Sequence, residues 1–327
     1  MHVKLTKVFI LGATGYIGGA VLGRLLADKQ VASKYQFTPV IGSLDDLEML
    51  QRIASKSDVV IECADADHIR SNQALLAGLK QRHEKKGTTP ILIHTSGTGV
   101  LADNAGGMYG SDTIYYDSDS DQIERLEPGR PHRNVDLNVV AADREGYVKT
   151  YIILPSTVYG LASGPLVDVG VMNPQSQQIP VLVRTSLDRQ QAGMVGRGYN
   201  YHPNVHIDEA ADLYRVIMEA SLSGQDIGHG REGYYFAENG EHTMYEIAER
   251  MGEELYCMRL AKTATPSPFT KEELQRYFQG SDNLGTNVRC RAERSRAIGW
   301  KPWRRTRDML DSIKPEIDYI LAGRKLT

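Results

Sequence analysis

Residues 8–19 read VFILGATGYIGG, and this stretch decides the fold. Val8, Phe9, Ile10 and Leu11 form an unbroken apolar run, as a buried strand does. Gly12, Gly15 and Gly18 follow at three-residue spacing, and AVLGRLLA then continues with helical periodicity. Strand, glycine turn and helix in this order make a phosphate-binding nucleus. The first glycine permits the tight turn, and the second lets backbone N–H groups approach a pyrophosphate. The third lets the helix pack closely on the strand, and the helix N-terminus favours the anion.

Outward from this nucleus, residues 16–28 predict the first helix. A doubly wound unit normally continues with a second strand, whose end carries a ribose-reading acid about 20 residues beyond the glycines. Here Asp28-Lys29-Gln30 passes directly into VASKYQFTPVIGSLDDLEML. That stretch predicts one strand, Thr38–Ile41, and a helix over Asp45–Ser55. No Asp or Glu ends a strand at the expected distance, so the adenosine-ribose contact is missing or displaced. Asp58 then leads into a strand over Val59–Cys63, and a helix runs from Asp65 to about Lys86. Ile91–His94 is the next buried strand and ends in TSGTG. Residues 102–131, rich in Gly, Asp, Ser and Tyr, predict a long irregular loop with a short helix near 119–124. Loops of that length usually mark a functional or mobile segment. A helix over His132–Arg144 and a strand over Tyr147–Leu154, ending in PSTVYG, complete the regular alternation.

Beyond Gly160 the pattern loosens. A helix lies within 174–191, GMVGRGYNYHPN reads as a loop, and VHIDEAADLYRVIMEASL as a short strand and capped helix. GYYFAENGEH reads as a strand and turn, followed by helices at MYEIAERMGEEL, from TPSPFTKEEL, and after GWKPWRRT. The whole predicts an α/β fold: a Rossmann-type doubly wound parallel sheet, its second strand missing, with a smaller C-terminal substrate lobe. Residues 1–160 plus about 205–237 would form the dinucleotide-binding domain. Residues 161–204 plus about 238–327 would form the substrate lobe.

The 327 residues, 41% hydrophobic and 24% charged, suit such a globular chain. A net charge of −3 leaves no basic footprint for nucleic acid, and WKPWRRTR reads as a solvated helix start. No apolar run approaches the ~18 residues of a membrane span, and MHVKLTK lacks the apolar core of a signal peptide. Cys63, Cys257 and Cys290 are scattered without metal or disulfide spacing, which points to a reducing compartment and by default the cytoplasm. His202, His206 and Asp208 are expected as strand and helix-cap residues, and no metal site is expected.

GATGYIGG, DVVIECAD, ILIHTSGTG, LPSTVYG, NVHIDEAADLY and IGWKPW together resemble the extended short-chain dehydrogenase/reductase superfamily, whose members include sugar-nucleotide epimerases and dehydratases. HTSGTG, HRNVD and GYYFAENGEH further resemble an atypical fungal-type branch of NAD(P)-binding, epimerase/dehydratase-like proteins. The resemblance spans nearly the whole chain. It implies that Gly12, Thr14, Gly15, Tyr16, Ile17 and Gly18 line the pyrophosphate of NAD or NADP. Asp58 belongs to the motif that holds the adenine-side strand. Ala64 and Asp65 would lie near the nicotinamide ribose, and Pro155, Thr157 and Val158 near the nicotinamide. A homodimer through helices equivalent to 65–84 and 132–144 is also implied.

The chain departs from that family at its chemistry. The usual Ser/Thr that polarises a substrate oxygen aligns with Gly97, leaving Thr98 or Ser96 as substitutes. The usual YxxxK is absent, and HRNVD places His132 at the Tyr position and Asp136 at the Lys position. Positions i and i+4 share a helical face, so Asp136 is expected beside the His132 imidazole. With an ordinary pKa near ~6.5, His is better matched to proton transfer at neutral pH than Tyr near ~10. Tyr109, Tyr115 and Tyr116 are alternative acids on the long loop, and Arg184, Arg189 and Arg197 are candidate anion contacts. Three functions follow as expectations: an NAD(P)-dependent oxidoreductase acting on a small carbonyl or hydroxyl compound; an epimerase/dehydratase-type lyase using His132 as acid/base; or a non-catalytic dinucleotide sensor. NAD against NADP is undecided, because the residue that normally decides it is absent.

Overall fold

Five parallel strands in the order β1-β2-β3-β5-β9 carry the site in the computed structural model, which describes residues 6–27 and 38–324. They are β1 (Val8–Leu11), β2 (Val59–Glu62), β3 (Ile91–Thr95), β5 (Lys149–Pro155) and β9 (Tyr234–Ala237). The register pairs Ile10 with Ile61, Ile61 with Ile93, Ile93 with Tyr151 and Ile153 with Tyr235, so the C-terminal strand ends lie along one edge. Helices α1 (Tyr16–Ala27) and α8 (Ile207–Leu222) pack together on one face. On the other face lie α2 (Leu47–Ala54), α3 (Ile69–Lys86) and α5 (Arg133–Arg144), with α3 against both of its neighbours. With helices covering both faces, β2, β3 and β5 read as near-continuous buried apolar runs.

Among the described residues no strand pairs with the outer edge of β1, whose four residues are all half-buried where those of β2 are fully buried. Among the described residues the sheet therefore extends to one side of the glycine turn only. Residues 28–37, including most of the stretch that follows α1 in sequence, lie outside the described residues. The strand expected at Thr38–Ile41 does not form: these residues carry no regular structure, and Ile41 is 98% exposed. Val40 and Ile41 are β-formers by composition, but in the structure they have no ladder to join, and pairing decides a strand.

The long loop is also corrected. Residues 102–131 do contain α4 (Ser120–Glu124), but they are pinned rather than loose. β4 (Tyr115–Tyr116) pairs with β12 (Cys290–Arg291), which half-buries both tyrosines. The buried Asp117 carboxylate accepts from the backbone N–H groups of Phe236, Arg294 and Ser295 and from the Ser295 hydroxyl, at 2.7–3.1 Å. Asp103 accepts from Asn287 N and Nδ2. The stretch read as a loop at 193–204 likewise forms β7 (Gly193–Met194) and much of β8 (Tyr201–His206).

A second core lies beside the sheet. β6 (Thr157–Tyr159), β8 and β10 (Glu241–Thr243) form a three-stranded sheet, and β7 pairs with β11 (Ser267–Pro268). Around them lie α6 (Pro165–Asp168), α7 (Gln178–Arg189), α9 (Met244–Cys257), α10 (Lys271–Phe278), α11 (Glu293–Ala297), α12 (Thr306–Asp311) and α13 (Ile313–Arg324). Tyr159, Ile179, Leu182, Val183, Met251 and Ile317 form the heart of this core. Thr243 and Thr270 start α9 and α10 with capping boxes to Glu246 and Glu273. Trp300 is buried with its indole N–H on Glu209 O, and Glu209 Oε1 accepts from Trp303 N and Arg304 N, so WKPWRRTR is a structural clasp.

Candidate active site

Gly12 ends β1 with φ +84°, a left-handed conformation that a side chain resists, and a Cβ there would come within 2.9 Å of the Ala64 backbone. A Cβ on Gly18 would collide with the Gly12 carbonyl, so α1 lies directly against the strand end. Gly15 N bonds Gly12 O at 3.0 Å, and a Cβ on Gly15 would stand 3.3 Å from that same oxygen, over the start of α1. The N–H groups of a first helical turn have no intrahelical acceptor, so this bare cradle fits a pyrophosphate. Thr14 O accepts from Asn173 N at 3.0 Å, tying the cradle to the lobe. The Tyr16 side chain bonds Gly160 O at 2.5 Å, and with Ile17 and Val158 it packs into an apolar cluster.

Ala64 adjoins Gly12 at the end of β2, and the Asp65 carboxylate accepts from Asp67 N at 2.9 Å. Asp58 stands at the opposite, N-terminal end of β2. There it accepts from Lys7 N at 2.9 Å and pairs with Arg82 of α3, a clamp on strand and helix. At the end of β5, Pro155 O accepts from the Thr98 hydroxyl at 3.3 Å, and Thr157 Oγ1 bonds Gln178 Oε1 at 3.2 Å. The Thr98 proton is thus directed at the protein and not into the cleft.

The expected His132–Asp136 pair is not formed. α5 begins at Arg133, and His132 precedes it with φ +65°, so the i, i+4 geometry of a helical face does not apply to it. Asp136 is fully buried and turns to the sheet, where Ser96 Oγ donates to it at 3.1 Å. Asp67, which sequence reasoning missed, takes its place. One oxygen of Asp67 accepts from both His132 N, at 3.0 Å, and His132 Nδ1, at 2.9 Å. It is free to do so because α3 starts at Ile69, behind an N-cap made by His68, and not at Asp65. A carboxylate on Nδ1 fixes the proton there and leaves Nε2 free. That nitrogen faces the turn after β3: a Cβ on Gly97 would be 3.1 Å from it, and one on Gly99 3.5 Å. The imidazole therefore fills the space that a side chain at Gly97 would need. A left-handed conformation at a residue other than Gly or Asn costs roughly 1–3 kcal/mol and collects at functional sites.

Two further ionisable groups escaped the sequence reading, Glu62 and His94, both buried beneath this turn. Their signal was a polar residue within or closing an apolar strand, VVIE and ILIHT. His202 bonds Thr286 O at 2.9 Å, and His206 caps α8 by accepting from Asp208 N at 3.2 Å. Among the described residues no group of three or more His, Cys, Asp or Glu side chains could hold a metal, and no helix is long and apolar enough to cross a membrane. Arg184 and Arg189 are held by Gln175 and Glu273, whereas Arg197 is exposed.

A glycine cradle lies at the C-terminal edge of a parallel sheet, with a carboxylate-held imidazole two strands away. The model of the NAD dependent epimerase/dehydratase family matches residues 8–229, and the chain belongs to that family. It is similar to Oxidase ucsJ of Acremonium sp, 29% identical over 333 aligned positions that cover 90% of this chain and 92% of the other. An uncharacterized Saccharomyces cerevisiae protein is 27% identical, covering 67% of this chain and 72% of its own length. Among solved structures, the dTDP-glucose 4,6-dehydratase DesIV of Streptomyces venezuelae, with NAD and TYD bound, superposes with a TM-score of 0.66. It is 18% identical and is covered over 98% of both chains. UDP-glucose 4-epimerase of Thermotoga maritima gives 0.64 at 16% identity, covering 96% of this chain and 99% of its own. The chain is thus an NAD(P)-dependent enzyme of the epimerase/dehydratase family, with the Rossmann-type fold of its neighbours.

Proposed function

We propose that this protein is an NAD(P)-dependent oxidoreductase that interconverts a small carbonyl compound and its alcohol, with His132 as proton carrier. The observation that carries the reading is the Asp67–His132 dyad, whose free Nε2 faces Gly97 at the sheet edge. Gly12, Thr14, Gly15 and Gly18 would hold the pyrophosphate, with Ala64 and Asp65 toward the ribose; when bound, NAD(P) supplies or accepts the hydride. His132 Nε2 gives a proton to the developing alkoxide in reduction and removes it in oxidation. Asp67 fixes the tautomer and stabilises the imidazolium, as a carboxylate does for any base it orients. A His would do here what a Tyr–Lys pair does in most relatives, since an imidazole ordinarily exchanges protons close to neutral pH without a neighbouring cation. The relative named as an oxidase favours redox chemistry over simple binding.

The buried Ser96–Asp136 contact beside the same turn favours a second reading, an epimerase/dehydratase-type lyase that uses a second proton-bearing group. Both readings are tested by His132→Asn, assayed with NADH and NADPH against aldehydes, ketones and sugar nucleotides. Loss of turnover with cofactor binding intact is expected. Unchanged kinetics sink the acid/base assignment, and binding without consumption by the wild type makes the protein a dinucleotide sensor.

A further inference from the structure

Beneath Gly97 lies a cluster of ionisable side chains that the dyad does not use. Side chains alternate along β2 and β3, so Glu62, His94 and Ser96 face the α3–α5 side, while Thr95 faces Cys63 and Tyr214 on the other. Glu62 Oε2 is 2.8 Å from His94 Nδ1 and accepts from Asn72 Nδ2 at 2.9 Å, and Asn72 is held in turn by Asn138. Across the ring, His94 Nε2 lies 3.7 Å from Asp136 Oδ1, and Asp136 Oδ2 accepts from Ser96 Oγ at 3.1 Å. Glu62, His94 and Asp136 are at most 1% exposed. His94 Nε2 and Asp136 Oδ1, which face each other, have no hydrogen-bond partner, nor has Glu62 Oε1. Most buried polar atoms find a hydrogen-bond partner, and an unpaired facing pair calls for an explanation. This network leaves a gap at its centre, along the line that leads to Ser96.

The other charged groups nearby are Arg133, buried on the same helix with its guanidinium on the Tyr234 hydroxyl at 2.8 Å, and Asp67 toward His132. At the formal charges of Glu62 and Arg133, the four groups sum to zero whether the shared proton sits on His94 or on Asp136, so passing it between them leaves the buried site neutral. Burial lowers the His94 pKa, but the Glu62 and Asp136 carboxylates outweigh it and the net shift is upward. Burial likewise lifts Asp136, against the His94 charge and the Ser96 hydrogen bond, which makes it a ready proton acceptor.

We propose that Glu62, His94 and Asp136 form a buried proton store that discharges into the active site through Ser96. The His94 Nε2–H bond breaks as Asp136 Oδ1 takes the proton. The Ser96 hydroxyl turns from Asp136 Oδ2 to a substrate oxygen and gives up its proton there, and rotation of the Asp136 carboxyl group presents the replacement proton to Ser96 Oγ. One O–H bond forms on the substrate and one N–H bond is lost from His94. Asp136 and Ser96 return to their starting states, and the cluster ends with one more negative charge. The reverse sequence refills it. Glu62 is the fixed counter-charge that keeps His94 protonated between discharges. The store rests on the reading that substrate sits at the Gly97 turn, and it gives that site a second proton carrier beside His132.

The test uses ligand-free, full-length protein with 15N-labelled histidine, its ring signals assigned by correlation through the backbone. At pH 7.5 the His94 ring is expected to carry protons on both nitrogens, one unit above the ordinary midpoint of ~6.5. Asp136→Asn should move its midpoint down by about one pH unit or more. Ser96→Ala should leave its charge unchanged and slow exchange of the Nε2 proton with water about tenfold or more. A neutral His94 ring at pH 7.5 overturns the store, and unaltered exchange in Ser96→Ala overturns its outlet. Where Asp136→Asn does not fold, the wild-type titration and Ser96→Ala carry the test. Neither readout involves cofactor or substrate, so it stands or falls apart from the His132 assignment.

Discussion

At the scale of single residues, the proposed site turns on one imidazole and the space cleared for it. Asp67 holds both the His132 N–H and its ring, so Asp67→Asn replaces an acceptor-only group with one that no longer dictates the tautomer. Turnover should fall roughly 10²-fold or more, within the range general acid–base catalysis supplies, with cofactor affinity by fluorescence titration little changed. An equal fall in cofactor affinity would make Asp67 a binding residue instead. Gly97→Ala probes the same imidazole from the other side. Its new Cβ would stand 3.1 Å from Nε2 at a backbone angle any residue adopts, φ −164°. The substitution should leave the melting temperature near that of the wild type and lower kcat by displacing the ring. A variant that melts normally and turns over normally would show that Nε2 is not the working atom.

At the scale of elements, the Asp117 carboxylate fastens the 102–131 segment to the end of β9 and the start of α11 with four accepted hydrogen bonds. Asp117→Ala strands three backbone donors in a buried place and should cost roughly 3 kcal/mol or more in urea unfolding. It should also open residues 102–131 to limited proteolysis; resistance equal to the wild type would mean that β4 and Asp103 hold the segment without it. The regular elements were legible because their patterns are local: apolar runs for β1, β2, β3 and β5, and the glycine spacing for the turn into α1. What failed was non-local. Thr38–Ile41 has the composition of a strand but no pairing, and 102–131 has the composition of a loose loop but is held by residues nearly two hundred positions away. Of the candidate site, the sequence pattern drew attention to His132 but not to Asp67, the carboxylate it meets. The helix that carries Asp67 in the sequence pattern starts four residues later in the fold, and its neighbour across 65 positions is set by tertiary contact. Glu62 and His94 were visible as polar residues in apolar strands, but that pattern alone cannot say what they face.

At the scale of the whole molecule, the two cores place their histidines in opposite electrostatic settings, and this fixes the sign of the acid response. In the sheet core, His94 between two carboxylates is held above its ordinary pKa, so its contribution is complete below the unfolded value and fades as pH rises through the folded one. In the lobe, His202 is driven down to about 4 from 6.5 by burial, against the opposing effects of its Thr286 carbonyl bond and Asp103. His206 also falls to about 4, by burial and then the Arg304 charge, and buried His242 is lowered beside His202. A group depressed on folding stabilises fully above its unfolded pKa, and the stability drains as pH falls toward the folded value. The window is thus pH 6.5 down to about 4, where the unfolded chain binds protons that these native histidines refuse. For His202 alone the limit is about 3 kcal/mol, at ~1.4 kcal/mol per unit. Urea unfolding at pH 7 and pH 5 should therefore show a marked loss at the lower pH, and His202→Gln should flatten that slope. A wild-type stability that is level or rising between pH 7 and pH 5 would contradict a lobe built on neutral buried histidines.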